Sequence, residues 1–397
     1  MGTFHPFQTA YRADPYPYLD RLRESDPYHY SPELQGFVLT RYQHCAEVLR
    51  DDEHFLSDPG VATNGMGDSV RQARRCAALG DTPILANSDG ATHSRMRATL
   101  AQAFSPRALE TQAPAIHETV ERLLERFEPG KPVEVMSTVA EVLPVEVLLR
   151  FIGIAGECRD PFRACVVAMM RGRMDADRSR EAAEESYAAL RMLGHVFDRS
   201  LDDPGESLLR RLDASVNEGA ISAPEMVMLV THVATAGNAA TAFGIGNMLL
   251  TLSSRPGDWE RLRADPGLIP AAVEECLRFE CPTHITTRFA GEGARVGEKQ
   301  IAAGRAVHLV VAAANRDPEA FPNPDQFDLD RKGERQLAFG RGGHFCLGAP
   351  LARIEMQTVL AAMLRRFSSL EVVPGCTTPG GTLLLRGPQR LTLIPRA

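Results

Sequence analysis

Long apolar runs are missing from this 397-residue chain, and with them any obvious membrane span. A spanning helix needs roughly 18 or more consecutive apolar residues. The longest near-apolar stretch, Val307 to Ala314, is short and contains His308, so it reads as a buried strand. The N-terminus, MGTFHPFQTAYRADPYPYL, has neither a basic nor an apolar segment, which argues against a secretory signal. Pro6 stands where myristoylation wants Ser or Thr. A cytoplasmic protein is expected. A basic excess is missing too. The formal net charge is -7 and the two signs are interspersed, so no nucleic-acid-binding face is expected. Cys-x-x-Cys pairs are absent among Cys45, Cys76, Cys158, Cys165, Cys276, Cys281, Cys346 and Cys376, which argues against zinc or iron–sulfur frameworks. In a reducing compartment most of these thiols should be small buried hydrophobes. Internal repeats and low-complexity linkers are absent as well, and one domain over 1–397 is expected.

What is present is helical periodicity. Ala115 to Phe127, Ser186 to Leu201 and Leu351 to Phe367 place apolar residues at three- and four-residue spacing. Ser222-Ala-Pro-Glu225 is a capping-box pattern with Pro in the first turn. It should open a long helix to about Leu252, apolar nearly all round and therefore central. A shorter helix, Pro270 to Phe279, carries Glu275 and Arg278. Strand signals are few: Gly36 to Tyr42, and a hairpin of Arg295 to Ile301 with Ala306 to Val311 around Ala302-Ala303-Gly304. The expected class is mainly α with small marginal sheets.

The most chemically loaded segment is Phe339-Gly-Arg-Gly-Gly-His-Phe-Cys346-Leu-Gly348, just before an amphipathic helix. A thiolate at a helix N-terminus is favoured by free N–H groups and by the helix dipole. Gly340, Gly342 and Gly348 allow the backbone to come close to a flat ring system and to aim N–H groups at sulphur, which tunes a thiolate as a metal ligand. Phe339 and Phe345 can keep water from it.

This segment resembles the cytochrome P450 signature F-G-x-G-x-H-x-C-x-G, matched at every fixed position by Phe339, Gly340, Gly342, His344, Cys346 and Gly348. The resemblance extends over most of the chain and implies a P450 fold of the soluble bacterial type. It further implies haem b between the central helix and the Cys346 loop, with Cys346 as the axial thiolate to iron. Glu275 and Arg278 fit the family's E-x-x-R ion pair. The family often adds an Arg or His from the stretch here reading Pro324-Asp-Gln-Phe327, and Gln326 in that place implies a weaker triad. Haem propionates are expected on His93 and Arg97, which share a helix face at i,i+4, and on Arg288 and His344. Phe339, Gly340, Gly348, Ala236 and Gly237 would border the cofactor. The implied activity is a monooxygenase reaction on a small organic substrate, of the kind that tailors natural products. Electrons would come from NAD(P)H through a ferredoxin reductase and a ferredoxin, because the chain has no flavin or iron–sulfur motif of its own. Arg341 and neighbouring bases would meet the ferredoxin on a monomeric enzyme.

One departure from the family bears on mechanism. Typical members carry A-G-x-[DE]-T on the central helix, an acid and an alcohol that relay protons to the oxygen being activated. This chain reads Ala236-Gly-Asn-Ala239-Ala240-Thr241, with Ala at both relay positions. Three readings stand. Protons reach a monooxygenase by another route, through substrate, water, Asn238 or Thr241, although Thr241 is about 100° off the required face. Alternatively the chemistry needs no relay, as in oxidative coupling, peroxide-driven oxidation or nitrogen-oxide reactions. The segment is similar to one in fungal nitric-oxide-reducing relatives, which keep the alcohol. Lastly, the protein binds haem as a sensor without catalysis. His232 shares the face of Ala236 and Ala240 and is either a core histidine or a substrate- or water-binding group. Family position places Thr235, Ala236, Ala239 and Ala240, with Ile84, Leu85, Asn87, His284, Ile285 and Leu383, around the substrate, and makes Met169 to Arg180 a candidate lid.

Overall fold

A computed structural model describes residues 5–63, 82–174, 180–200 and 207–397. The central helix, Ala223–Ser253, begins as its capping box requires. The Ser222 hydroxyl accepts from the Glu225 N–H at 3.3 Å, and the Glu225 carboxylate accepts from the Ser222 N–H at 2.8 Å. Its apolar circumference is explained by its neighbours. Helices Val142–Ile152, Leu208–Asn217, Ile269–Phe279 and Ala349–Arg366 and strand Arg386–Arg396 all pack against it. Length and composition would let this helix cross a membrane, but it lies mostly buried within the protein core.

The other expected helices form with shifted ends: Ala113–Leu124, Arg180–Ser200, Ile269–Phe279 and Ala349–Arg366. The strands depart further from expectation. Gly36–Leu39 is a strand, but it pairs in parallel with Ala306–Leu309, which in turn pairs antiparallel with Thr286–Ala290. Arg295–Val296 pairs instead with Lys299–Gln300 in a small ribbon of its own, so the expected hairpin around Ala302-Ala303-Gly304 does not form. Val307 to Ala314 is only half strand, since Val311–Ala314 is a turn of helix. Local alternation could not reveal these pairings, because the partners lie far apart in sequence. A long antiparallel pair, Ser369–Gly381 with Arg386–Arg396, adds Val133–Glu134 as a third strand. Its Pro- and Gly-containing strands gave no alternation to recognise.

The helix Ile269–Phe279 carries the ion pair. Arg278 donates to both Glu275 oxygens at 2.8 and 2.7 Å, and both side chains are almost fully buried. The triad is not weakened by Gln326. Arg331 donates to both Glu275 oxygens at 3.1 Å, and Gln326 contributes its backbone carbonyl to Arg278 and Arg331. The cation arrives five residues later than the family pattern suggests, because the loop turns back on itself. This network ties the 322–331 loop to the helix beneath the Cys loop.

Candidate functional site

The Cys loop is held from both sides. The Cys346 N–H donates to the Phe339 carbonyl at 2.9 Å. The Gly343 N–H donates to Asp52 at 2.8 Å. Gly342 sits at φ +72°, and a Cβ there would collide with the Leu49 carbonyl oxygen, so this glycine serves loop docking on the helix Tyr42–Arg50. That corrects the expectation that its close approach is to a ring system. Gly340, at φ +71°, and Gly348 face only the His344 carbonyl and the Cys346 sulphur, each 3.9 Å from a Cβ placed on them. Burial pushes the Cys346 thiol pKa up, while the N–H groups of Gly348 and Ala349 and the charges of Arg97 and Arg353 pull it down. These are the thiolate-stabilising groups expected of a helix N-terminus. Cys346 nevertheless retains open surface. Arg353 lies 4.5 Å over the Phe339 ring and donates to Glu274, fixing the aromatic side of the loop.

The four expected propionate residues converge. His93 and Arg97 come from the helix Gly90–Ala101, Arg288 from the strand Thr286–Ala290, and His344 from the loop. His93 and His344 stack with ring centroids 3.9 Å apart, and Arg97 donates to the Phe345 carbonyl at 2.6 Å. Arg288 is 8 % exposed and bonds only its neighbour's carbonyl, at Thr287. Burial draws its pKa down, opposed by Asp52 and Asp89. Among the described residues neither Arg97 nor Arg288 has a carboxylate within ion-pair distance. A buried guanidinium without an anion is costly, so this cluster fits a ligand that brings its own carboxylates. Together with a sulphur that faces the Gly348 and Ala349 N–H groups, the donor set fits haem.

The central helix shows a second open surface. In the middle of a largely buried helix, Ala236 is exposed and His232, Gly237, Asn238 and Ala240 are partly so. His232, Ala236 and Ala240 lie one turn apart on one face. Ala239 is almost fully buried. Thr235 is buried, and its hydroxyl donates back to the Thr231 carbonyl at 2.9 Å. Thr241 is buried as well, round the helix from the open stripe.

The remaining wall candidates separate into two groups. Ile84, Leu85 and Asn87 form and flank a single 3-10 turn immediately before the His93 helix. His284, Ile285 and Leu383 belong to a second core beside the N-terminal helices. There the His284 Nε2 and the Tyr11 hydroxyl lie 2.9 Å apart, and burial pushes the His284 pKa down to about 3. Those three side chains are thus committed to packing there. The candidate lid, Met169 to Arg180, includes 175–179, which lie outside the described residues.

Several site residues had no signal in the sequence. Asp89 accepts from the Ser57 and Asp58 N–H groups and lies 3.3 Å from His344. Asp52, Arg331 and Arg353 likewise act on partners distant in the chain. A further surface lies against the Cys loop: an open pocket of about 700 Å³ lined by Arg50, Arg335, Arg341 and Arg353 together with Glu274 and Glu334.

Known proteins agree with this geometry. The family profile described as Cytochrome P450 matches residues 195–394. Cytochrome P450 107B1 of Saccharopolyspora erythraea is 32 % identical over 371 residues, covering 92 % of this chain and 90 % of that protein. Epothilone C/D epoxidase of Sorangium cellulosum is 30 % identical over 383 residues, 93 % and 90 % of the two chains. The crystal structure of epothilone D-bound cytochrome P450epoK superposes with a TM-score of 0.90 at 29 % identity, covering 100 % of both chains.

Proposed function

Because the chain belongs to the cytochrome P450 family of haem-thiolate oxidoreductases, we propose that it is a monooxygenase acting on a small organic molecule in natural-product biosynthesis. The observation that carries this reading is the Cys346 loop, a sulphur aimed at by the Gly348 and Ala349 N–H groups beside two guanidiniums that have no carboxylate partner among the described residues. Cys346 would hold the iron. Arg97, Arg288, His93 and His344 would hold the propionates. Phe339, Gly340 and Gly348 would border one face and Ala236 and Gly237 the other. Bound there, haem would supply the iron for a monooxygenase reaction, in which dioxygen, two electrons and two protons put one oxygen atom into a substrate C–H or C=C bond and release the other as water.

The chain's own residues do the rest. Gly348 and Ala349 keep charge on sulphur through their N–H groups, and Asp52 fixes the loop that presents it. The open face of the central helix offers His232 one turn from Ala236, where it can bind a polar substrate group or order water. The methyl groups of Ala236 and Ala240, on the open stripe, would leave room above the cofactor for a substrate. The epoxidase similarity supports a natural-product substrate. Residues 1–397 form one such domain, working in the cytoplasm as a monomer.

Electrons come from NAD(P)H through a reductase and an acidic ferredoxin docking on the arginine-lined pocket beside the Cys loop. Arg50 and Arg335 are exposed there, whereas Arg341 and Arg353 already engage Glu334 and Glu274. The absence of an acid–alcohol pair favours one alternative, oxidation without a relay, such as coupling or a peroxide-driven reaction.

The test is turnover of a compound library by purified haem-loaded protein with surrogate ferredoxin and reductase under isotopically labelled dioxygen. Label in the product supports the monooxygenase. Product without label points to coupling, product only with peroxide to the peroxide-driven reaction, and no product by any route to a binding protein.

A further inference from the structure

One ion pair joins two of the elements from which the site is built. Arg95 lies on the helix Gly90–Ala101 and Glu225 at the start of the central helix, 130 residues away in sequence. The guanidinium donates to Glu225 Oε1 at 2.5 Å, to Oε2 at 3.2 Å and to the Ala220 carbonyl at 3.0 Å. The same carboxylate accepts from the Ser222 N–H at 2.8 Å, so one group both caps the central helix and ties it to its neighbour. Hydrogen bonds from Arg95 hold the Glu225 carboxyl below the usual carboxylate range, so it is charged at neutral pH. Its side chain is only 10 % exposed. Surface ion pairs add little to stability. A guanidinium fork closed on a nearly buried carboxylate does something else: it fixes a geometry.

Both ends of this tie lead to the site. His93 and Arg97 stand two residues either side of Arg95, which puts them on the opposite side of their helix, roughly 160° away. One face of Gly90–Ala101 thus carries two of the four propionate residues, and the other grips the central helix. Along the central helix, Glu225 precedes His232 by seven residues and Ala236 by eleven. Both separations return to within about 20° of the starting direction, so the three share the stripe that opens at Ala236. Glu225 is also the only Asp, Glu, Lys or Arg on that helix. Met226, Met228, Leu229, Val230 and Val233, buried around it, pack without directional preference. The charged fork is what can set this end of the helix in register.

From this geometry, and resting on the haem monooxygenase reading, we infer that Arg95 is a positioning residue: it passes the seating of the propionates on His93 and Arg97 to the first turns of the central helix, and so sets where His232 stands at the substrate chamber. Arg95 touches neither substrate nor cofactor and acts through Glu225. A helix that carries its neighbours on two faces moves as one body, so a shift at His93 and Arg97 is delivered to Glu225. The coupling is reciprocal, because a substrate group held by His232 stabilises the same arrangement of the two helices.

Hydrogen exchange of the haem-loaded protein reads the coupling without any substrate. Amides of residues 226–232 should exchange about tenfold faster in Arg95→Ala than in wild type. Arg97→Gln changes the propionate side, and should speed the same amides about threefold while Arg95 is present and not at all once it is replaced by Ala. Unchanged amides in Arg95→Ala, or an Arg97→Gln effect that persists without Arg95, overturn the inference, since an ion pair that merely adds stability leaves the two effects independent. Should Arg95→Ala fail to hold haem, Arg95→Lys, which keeps the charge but not the fork, takes its place in the same cycle under the same criteria. With a compound that turns over, Arg95→Ala should raise KM about tenfold with kcat within about twofold, and should change neither further in a His232→Phe background. An unchanged KM, or a full effect without His232, counts equally against it. A wild type that turns over nothing refutes the monooxygenase reading, while the exchange cycle still decides the role of Arg95.

Discussion

Single residues decide the Cys loop. Gly342 combines a positive φ with a backbone contact from Leu49, so no side chain fits. Gly342→Ala should cost about 1–3 kcal/mol through strain at the loop and lower the haem content of purified protein, read as cofactor absorbance per protein. A normal haem content would show that the loop is set elsewhere. Arg288 is the sharper case, because its charge is buried with no carboxylate partner among the described residues. Arg288→Leu should stabilise the haem-free protein in denaturant unfolding, since it removes an uncompensated charge, and should speed haem loss from the loaded one. Movement of both in the same direction would remove Arg288 from the propionate site. His232→Phe should weaken binding of polar substrates, followed by the spectral change on titration.

At the scale of elements, the network around Ile269–Phe279 separates side-chain from backbone contributions. Glu275 and Arg278 are almost fully buried. Glu275→Ala leaves Arg278 charged and unpaired and should destabilise by about 3–5 kcal/mol in chemical unfolding. Gln326 is exposed and lends only its backbone carbonyl. Gln326→Ala should therefore stay within about 0.5 kcal/mol of wild type. A large loss there would return the third member of the triad to Gln326, where family position put it. Arg331 has no analogue in the spacing pattern because a loop that doubles back can deliver a cation from several positions.

The whole molecule shows its charge arrangement and its acid sensitivity. The chain is net negative, yet the pocket beside the Cys loop gathers four arginines against two glutamates. Arg335→Glu should raise the ferredoxin KM about tenfold at low salt, with the difference shrinking as ionic strength rises. A salt-independent effect would argue against electrostatic docking. His284 titrates near 3 in the folded protein because burial disfavours its charged form. Its folded value lies below the unfolded one, so the unfolded chain takes up the extra proton and stability is lost as pH falls from about 6.5 towards 3. Within that window His284→Gln should reduce the slope of stability against pH by up to one proton, about 1.4 kcal/mol per unit. An unchanged slope would show that other groups carry the acid transition.

What the sequence determined by itself was local. The Cys346 loop, the capping box at Ser222, the central helix and the Glu275–Arg278 pair all depend on residues a few positions apart, and short spacing carries that information. The missing acid–alcohol pair was legible for the same reason. Only the tertiary structure decided that Arg331 completes the Glu275 network, that Asp52 and Asp89 anchor the loop and His344, and that His284 faces Tyr11. It alone placed Ala306–Leu309 between two distant strands. Those outcomes depend on contacts between segments up to hundreds of residues apart. Burial, which sets the cost of every unpaired charge among them, exists only once the chain has folded.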